Sequence, residues 1–408
     1  MGPSPWRAIT AGASASFVGI GLARFAYTPL LPSLIDAHWF TSSAVVYLGA
    51  ANLAGYLIGA LLARPIARRI SDRSALRWMM ALASIALLAC AAPLSVGWFF
   101  AWRLASGLAG GTIMVLVAGT VLPHIPGQRR GLAGGAIFMG LGLGIAASGT
   151  IVPLLLRAGL SQTWAGLALL CAMLTAFSWN GWPRAALAAA HAAQVSDQPA
   201  PGARLRLNIV FGQYALLAVG LVPTMEFLVD FVTRGLGESA GVGSFFWILY
   251  GLGAIAGPAS YGLLADRLGF GPALRIVVLV QAIAVGLISA TDNAVAVGFL
   301  SVVIGTFPPG IVPVVLGRVH QVLPGRPQEQ SAAWGRATTV FALFQALAGY
   351  TYSYVFAHSG EDHQLLFAIG AGALALALVA DLVARSARAE GPAENLAVAP
   401  AKDTTNAL

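Results

Sequence analysis

Apolar runs long enough to cross a bilayer fill this chain, and its second half repeats the first at a shift of 198 to 200 residues. Gly55, Gly59 and Arg69 return as Gly253, Gly257 and Arg267, and Gly107 and Gly119 return as Gly305 and Gly317, all 198 positions on. Gly135 and Gly149 return as Gly335 and Gly349 at a shift of 200. In a chain with 48 glycines a single coincidence means little, whereas three separate segments agreeing on nearly one offset indicate duplication. A solute cavity forms readily between two similar membrane bundles that rock against each other, so this pattern points to a secondary transporter.

The composition removes the soluble alternatives. With 58% hydrophobic and 9% charged residues among 408, the chain cannot bury its apolar surface in one core and still present a charged exterior. The net charge of +8 is spread over short gaps between apolar runs, which suits anionic lipid headgroups and not nucleic acid. The single lysine, Lys402, excludes a P-loop that would hold nucleotide phosphates, leaving an ion gradient as the energy source. Cys90 and Cys171 lie inside apolar runs with no Cys or His at metal-ligating spacing, and read as small buried hydrophobes. The six histidines fall in loops or at span ends, so the chain offers no metal centre, no cofactor site and no enzyme constellation. The first apolar stretch lacks a small-residue cleavage site and reads as an uncleaved span.

At roughly 20 apolar residues per crossing, twelve spans are expected. They run over 8–32, 43–63, 78–96, 98–122, 131–156, 162–182, 207–232, 240–264, 272–290, 294–317, 331–357 and 363–384. The expected fold is therefore an all-α membrane protein of two pseudo-symmetric six-helix bundles, 1–182 and 207–384. A polar linker at 183–206 and a disordered tail at 385–408 complete the organisation. An N-in arrangement puts nineteen basic residues on the inner side, including Arg64, Arg68 and Arg69, against Arg157 and Arg234 outside. Positive loops stay cytoplasmic, so both termini are expected there.

Between spans 8 and 9 stands Gly262-Leu-Leu-Ala-Asp266-Arg267-Leu-Gly269, in which an acid beside an arginine at a helix end can latch to a neighbouring helix and release when the halves move. The matching place in the first half reads Arg64-Pro-Ile-Ala-Arg68-Arg69, with Asp72-Arg73 following as a substitute. This pattern resembles the major facilitator superfamily. Span 4 adds Arg103-Leu-Ala-Ser-Gly107 with Gly110-Gly111, similar to that superfamily's intramembrane arginine segment implicated in proton coupling. Span 1 adds Gly19-Ile-Gly21-Leu-Ala-Arg24-Phe-Ala-Tyr27-Thr-Pro29-Leu-Leu-Pro32, which looks like the YbfB/YjiJ-type branch. The resemblance covers residues 8–384 and implies a multi-pass protein of the bacterial inner membrane, acting as a monomer on a small-molecule substrate, with protons as coupling partner. Two departures stand out: span 5 ends in Pro153 without the Gly-Pro of resembling antiporters, and the first-half loop motif carries arginine in place of its acid.

Charge inside hydrocarbon costs about 2.5–3.5 kcal/mol on insertion scales unless it meets water or a partner. Arg24, Arg103 and Glu226 fall in one layer, ~6, ~10 and ~9 Å outward of the midplane, with Asp230 at ~15 Å, where water can reach it. If spans 1, 4 and 7 line a cavity, as the resemblance implies, Arg24 and Arg103 form a carboxylate clamp, and Glu226, with Asp230, is the protonatable partner. The alternative is an arginine–Glu226 pair that merely holds the halves together. Tyr27, Asn52, Tyr56, Tyr250 and Gln345 are further candidate lining residues; interhelical hydrogen bonding is their plainer role. The expected activity is proton-coupled transport of a small organic anion. A drug or cation exporter using Glu226 and Asp230 is the alternative, and a non-transporting sensor a third reading.

Overall fold

The computed structural model describes residues 4–126, 130–183 and 201–389. In chain order its helices are Pro5–Ser16 (α1), Tyr27–Asp36 (α2), Ser42–Ile70 (α3), Asp72–Ala89 (α4), Val96–Val121 (α5), Arg130–Leu156 (α6) and Leu160–Ser178 (α7). There follow Pro201–Asp230 (α8), Ala240–Leu268 (α9), Phe270–Ser289 (α10), Ala294–Gly305 (α11), Phe307–Val322 (α12), Pro327–His358 (α13) and His363–Ala389 (α14). The expected all-helical fold is borne out. Eleven helical stretches among the described residues are long and apolar enough to cross a membrane. The further helix in the place of span 3 is α4, which carries Asp72, Arg73 and Arg77 near its start.

Spans 1 and 10 are each built from two helices. Between α1 and α2 the chain passes through a π-helical turn, Phe17–Leu22, and then an irregular stretch at residues 23–26. Span 10 breaks at Thr306, before Phe307-Pro308-Pro309, where proline removes backbone donors and forces a new start. The expected boundaries shift in two places: α8 already begins at Pro201, inside the expected linker, and α14 continues to Ala389, into the expected tail. Residues 184–200 and 390–408 lie outside the described residues.

The repeated glycines prove to be a repeated packing scheme. A Cβ at Gly55 or Gly59 would fall on the carbonyls of Leu104 and Leu108, and one at Gly107 on the carbonyl of Asn52, so α3 and α5 touch backbone to backbone. Their counterparts Gly253, Gly257 and Gly305 do the same against Val302, Thr306 and Tyr250, joining α9 to α11 and the start of α12. Small residues permit this approach, which is how membrane helices associate when hydrophobicity provides no preference. Ser71 and Gly269, again 198 apart, both end their helices with φ of 75° and 83° and ψ of 152° and 156°. That backbone is comfortable for glycine, which explains the last position of the Gly262–Gly269 motif. Ser71 adopts the same geometry and caps α4 by accepting from the Ser74 N–H.

The two halves meet through α6 against α9 and α3 against α13. Gly149 lies on Ile248 and Ser244, Gly251 on Ala146, and the pseudo-equivalent Gly349 on Leu53 and Ala50. These meetings lie toward the face opposite the arginine-rich one. On the arginine-rich side, a Cβ added at Gly135, Gly212, Gly262 or Gly335 would meet nothing within 4 Å.

Gly107→Ala should lower stability by about 1–3 kcal/mol through overpacking at the α3–α5 crossing. Gly212→Ala, in open space, should not. Thermal unfolding of purified protein in detergent compares the two.

Candidate functional site

The break in span 1 organises the seam between the halves. Because residues 23–26 leave regular helix, the Ala23 carbonyl is available to side chains, and it accepts from Arg103 Nη1 at 2.9 Å and from Asn52 Nδ2 at 3.5 Å. Asn52 also donates to the Arg103 carbonyl at 3.3 Å and to Ser106 Oγ at 2.8 Å. The Arg103 guanidinium lies 4.1 Å from the centroid of the Tyr27 ring, whose hydroxyl donates to the Val45 carbonyl at 2.6 Å. Arg103, Asn52 and Tyr27 therefore tie α2, α3 and α5 together around a broken helix, and all three are buried. Irregular backbone at membrane depth requires such partners.

Arg24 is placed differently. It lies in the irregular stretch itself, buried, with its guanidinium 5.4 Å from the Phe25 ring and 5.3 Å from the Tyr56 ring. Among the described residues its one hydrogen bond is from Nη2 to the Met225 sulfur at 3.5 Å, a weak acceptor on the other half of the protein, and Nε has no partner there. Neither Arg24 nor Arg103 forms an ion pair with any carboxylate among the described residues.

Glu226 follows Met225 on α8 and reaches across the seam to α3. Its Oε2 would be 2.7 Å from a Cβ built at Gly49, so the absence of a side chain there admits the carboxylate. Close by, Thr28 Oγ1 donates to the Met225 carbonyl at 2.6 Å, another bond between the halves. Tyr250 is fully buried and stacked 4.8 Å from Trp247, whose Nε1 donates to Ser148 Oγ on α6 at 2.9 Å. Its hydroxyl lies beside Thr224 of α8, while Gln345 Oε1 has no hydrogen-bond partner among the described residues; the Gln345 amide nitrogen points to the Met225 sulfur at 3.9 Å.

Asp230 departs from expectation. It is not water-washed but sealed, at 0% exposure, and His363 Nε2 lies 2.7 Å from its Oδ2. Arg234, one turn further on, approaches it at 3.4 Å. His363, at the start of the expected last span, is the first residue of α14 and packs against Phe356 and Phe231. Asp381 was also missed: it is buried in α14, 2.6 Å from Arg275 and 3.9 Å from Arg318. The signal was available, since it is the one acid in an otherwise apolar final span.

In the expected latch, Asp266, Arg267 and Arg69 are exposed, and no ion pair among the described residues involves Asp266, Asp72 or Arg73.

A family model described as "Uncharacterised MFS-type transporter YbfB" matches residues 16–382. None of the curated proteins matches. Among solved structures the chain is similar to a D-xylose-proton symporter, with TM-score 0.68, 15% identity, and 91% of this chain and 97% of that chain covered. It is similar also to a point mutant of the nucleoside transporter NupG, with TM-score 0.72, 17% identity, and 92% and 99% covered. A third likeness is to a partially occluded inward open conformation of the xylose transporter XylE from E. coli, with TM-score 0.70, 14% identity, and 91% and 96% covered. At such identities these structures establish the shared fold.

Arg103→Lys should destabilise the protein by about 1–2 kcal/mol, because an ammonium cannot both donate to the Ala23 carbonyl and lie flat over Tyr27. Arg24→Lys should leave unfolding close to that of the wild type. Thermal melts in detergent separate the two arginines.

Proposed function

The chain belongs to the family of YbfB-type major facilitator transporters, and from that premise we propose that it carries a small organic anion by proton-coupled alternating access, with Arg24 as the anion-binding residue. The observation that carries this reading is the state of Arg24: a buried guanidinium at the seam, with an unpartnered Nε and no carboxylate in contact. A buried cation left without an anion is costly, and a planar fork of donors suits a carboxylate. Counted together, Arg24, Arg103 and an ionised Glu226 leave the layer one positive charge in excess, which favours an anionic solute over a cationic one.

Arg103 contributes its field and holds the broken helix, while Arg24 contributes donors. Tyr56 and Phe25 flank the guanidinium and give an apolar wall for the solute's carbon skeleton. Glu226 is the competitor. Ionised, it answers the field of both arginines; on arrival of an anion it takes up a proton and yields the positive charge to the solute. Access is from the arginine-rich face in this reading, which is the cytoplasmic one if positive loops stay inside. Rocking would then close that face, where Asp266, Arg267, Gly269, Arg69, Asp72 and Arg73 lie ready to form contacts. Each half, 1–182 and 207–384, moves as a unit in this scheme.

Proteoliposome uptake across a panel of monocarboxylates, dicarboxylates and organic cations, with and without an imposed proton gradient, tests the reading. Carboxylate uptake driven by the gradient is expected, with at least about a tenfold loss of binding in Arg24→Ala, the equivalent of 1.4 kcal/mol. Glu226→Gln should still bind the anion but lose its response to the gradient. Uptake of organic cations that is abolished by Glu226→Gln and indifferent to Arg24→Ala would replace this reading with a cation exporter.

A further inference from the structure

Two buried side chains from opposite halves share one weak acceptor. Arg24 Nη2, from the break in span 1, and the Gln345 amide nitrogen, from α13, point to the same Met225 sulfur, at 3.5 and 3.9 Å. Met225 itself is held in place, since its carbonyl accepts from Thr28 Oγ1 at 2.6 Å. The other ends of both groups go unanswered among the described residues. Arg24 Nε has no acceptor and Gln345 Oε1 has no donor, although the two residues are only 7% and 1% exposed. A thioether sulfur accepts and cannot donate, so the amide turns its nitrogen toward Met225 and leaves its oxygen as the orphan.

Interhelical hydrogen bonding does not account for this amide. Asn52 and Gln281 also leave their oxygens unpartnered, but their nitrogens hold oxygen acceptors between helices of one half. Asn52 serves the Arg103 carbonyl and Ser106 Oγ, and Gln281 serves the Val303 carbonyl and the Tyr261 hydroxyl. Gln345 has only the sulfur among the described residues, and it shares that sulfur with an arginine of the other half. Gly349, one turn further along α13, lies on Leu53 and Ala50 of α3, which brings this stretch against the helix that carries Tyr56. A buried amide oxygen without a donor is unfavourable, and a ligand that brings one relieves it.

Resting on the reading of Arg24 as the anion-binding residue, we propose that Gln345 makes the site selective for 2-hydroxycarboxylates, with the Met225 sulfur keeping the place that the solute takes. The solute's carboxylate replaces the sulfur as acceptor and receives Arg24 and the Gln345 N–H together. The Gln345 carbonyl then faces the carbon next to the carboxylate, where a hydroxyl supplies the missing donor. The two ends of one amide are spaced like a carboxylate oxygen and a hydroxyl on the adjacent carbon, so both bonds form along one edge of the solute. A hydroxyl one carbon further out reaches past the amide. An ammonium in the same place would donate equally well, but it would return the positive charge that the anion offsets. A site built to bond a hydroxyl rejects the analogue lacking it, because its own acceptor is then left buried and unpaired.

Calorimetric titration of the purified protein with matched carboxylates tests this. The series holds the unsubstituted, 2-hydroxy, 3-hydroxy and 2-amino forms of one short skeleton, and the same forms of a longer one carrying a phenyl group. The 2-hydroxy acid should bind at least about tenfold more tightly than its unsubstituted partner. Gln345→Leu should bring that ratio close to one; Gln345→Met, nearer in shape, serves the same purpose if the first variant fails to insert. Arg24→Ala should weaken both acids alike. Carboxylates that bind without dependence on Arg24, or not at all, remove the reading of Arg24 and this inference with it. Carboxylates that bind through Arg24 but show no preference for the 2-hydroxy form, or prefer the 3-hydroxy or 2-amino form, overturn this inference alone. A 2-hydroxy preference that survives in the inserted Gln345 variant overturns it likewise.

Discussion

A guanidinium inside a helix bundle must be answered by something, and the two here are answered in different ways. Arg103 is consumed by structure: the break in span 1 frees the Ala23 carbonyl, and Arg103 and Asn52 supply the donors that a regular helix would have provided. Arg24 sits in that same break and is left with a methionine sulfur and two aromatic faces. Cation–aromatic contact is worth about 2 kcal/mol when desolvated, less than an ion pair in good geometry recovers. The irregular stretch at residues 23–26 thus produces both a satisfied arginine and an unsatisfied one. The unsatisfied one faces the seam at Met225, where a solute would have to pass.

The duplication works at the level of backbone contact. Gly55, Gly59 and Gly107 join α3 to α5, and Gly253, Gly257 and Gly305 join α9 to the two helices of span 10, so each half is stiffened by the same crossing. Gly149 and Gly349 do the opposite job at equivalent places, bringing each half against the other. Stiff halves joined along a seam are what rigid-body rocking requires. Charges are then distributed by role: Arg275, Arg318 and Asp381 brace α10, α12 and α14 within one half, while Arg234 reaches from one half to Ser42 of the other.

Apolar run length and the glycine offset make the spans and the duplication legible, because both are repeated many times along the chain, while the family is legible as a resemblance in the motifs around Arg24, Arg103 and Asp266-Arg267. Single-residue environments were not legible in the same way. Ala23-Arg24-Phe25-Ala26 has nothing in it that breaks helices; the irregularity follows the π-turn at Phe17–Leu22, where Gly19 and Gly21 press against Ile113 and Gly144. Those are long-range contacts. Height along a span locates Arg24, Arg103 and Glu226 in one layer but does not say which way each points. The same estimate set Asp230 near water, although His363 from α14 seals it, a pairing between residues 133 positions apart. Ser71 shows the converse: a glycine-like backbone is kept by the repeat even where the glycine itself is missing.

The account stands or falls on exchange of charge between Glu226 and an anion at Arg24. Calorimetric titration with a carboxylate that the transporter accepts, repeated in buffers of different ionisation heat, counts the protons taken up per anion bound. The account predicts a net uptake approaching one proton at neutral pH, abolished in Glu226→Gln. Anion binding with no proton uptake, or an uptake unchanged by that substitution, would contradict it.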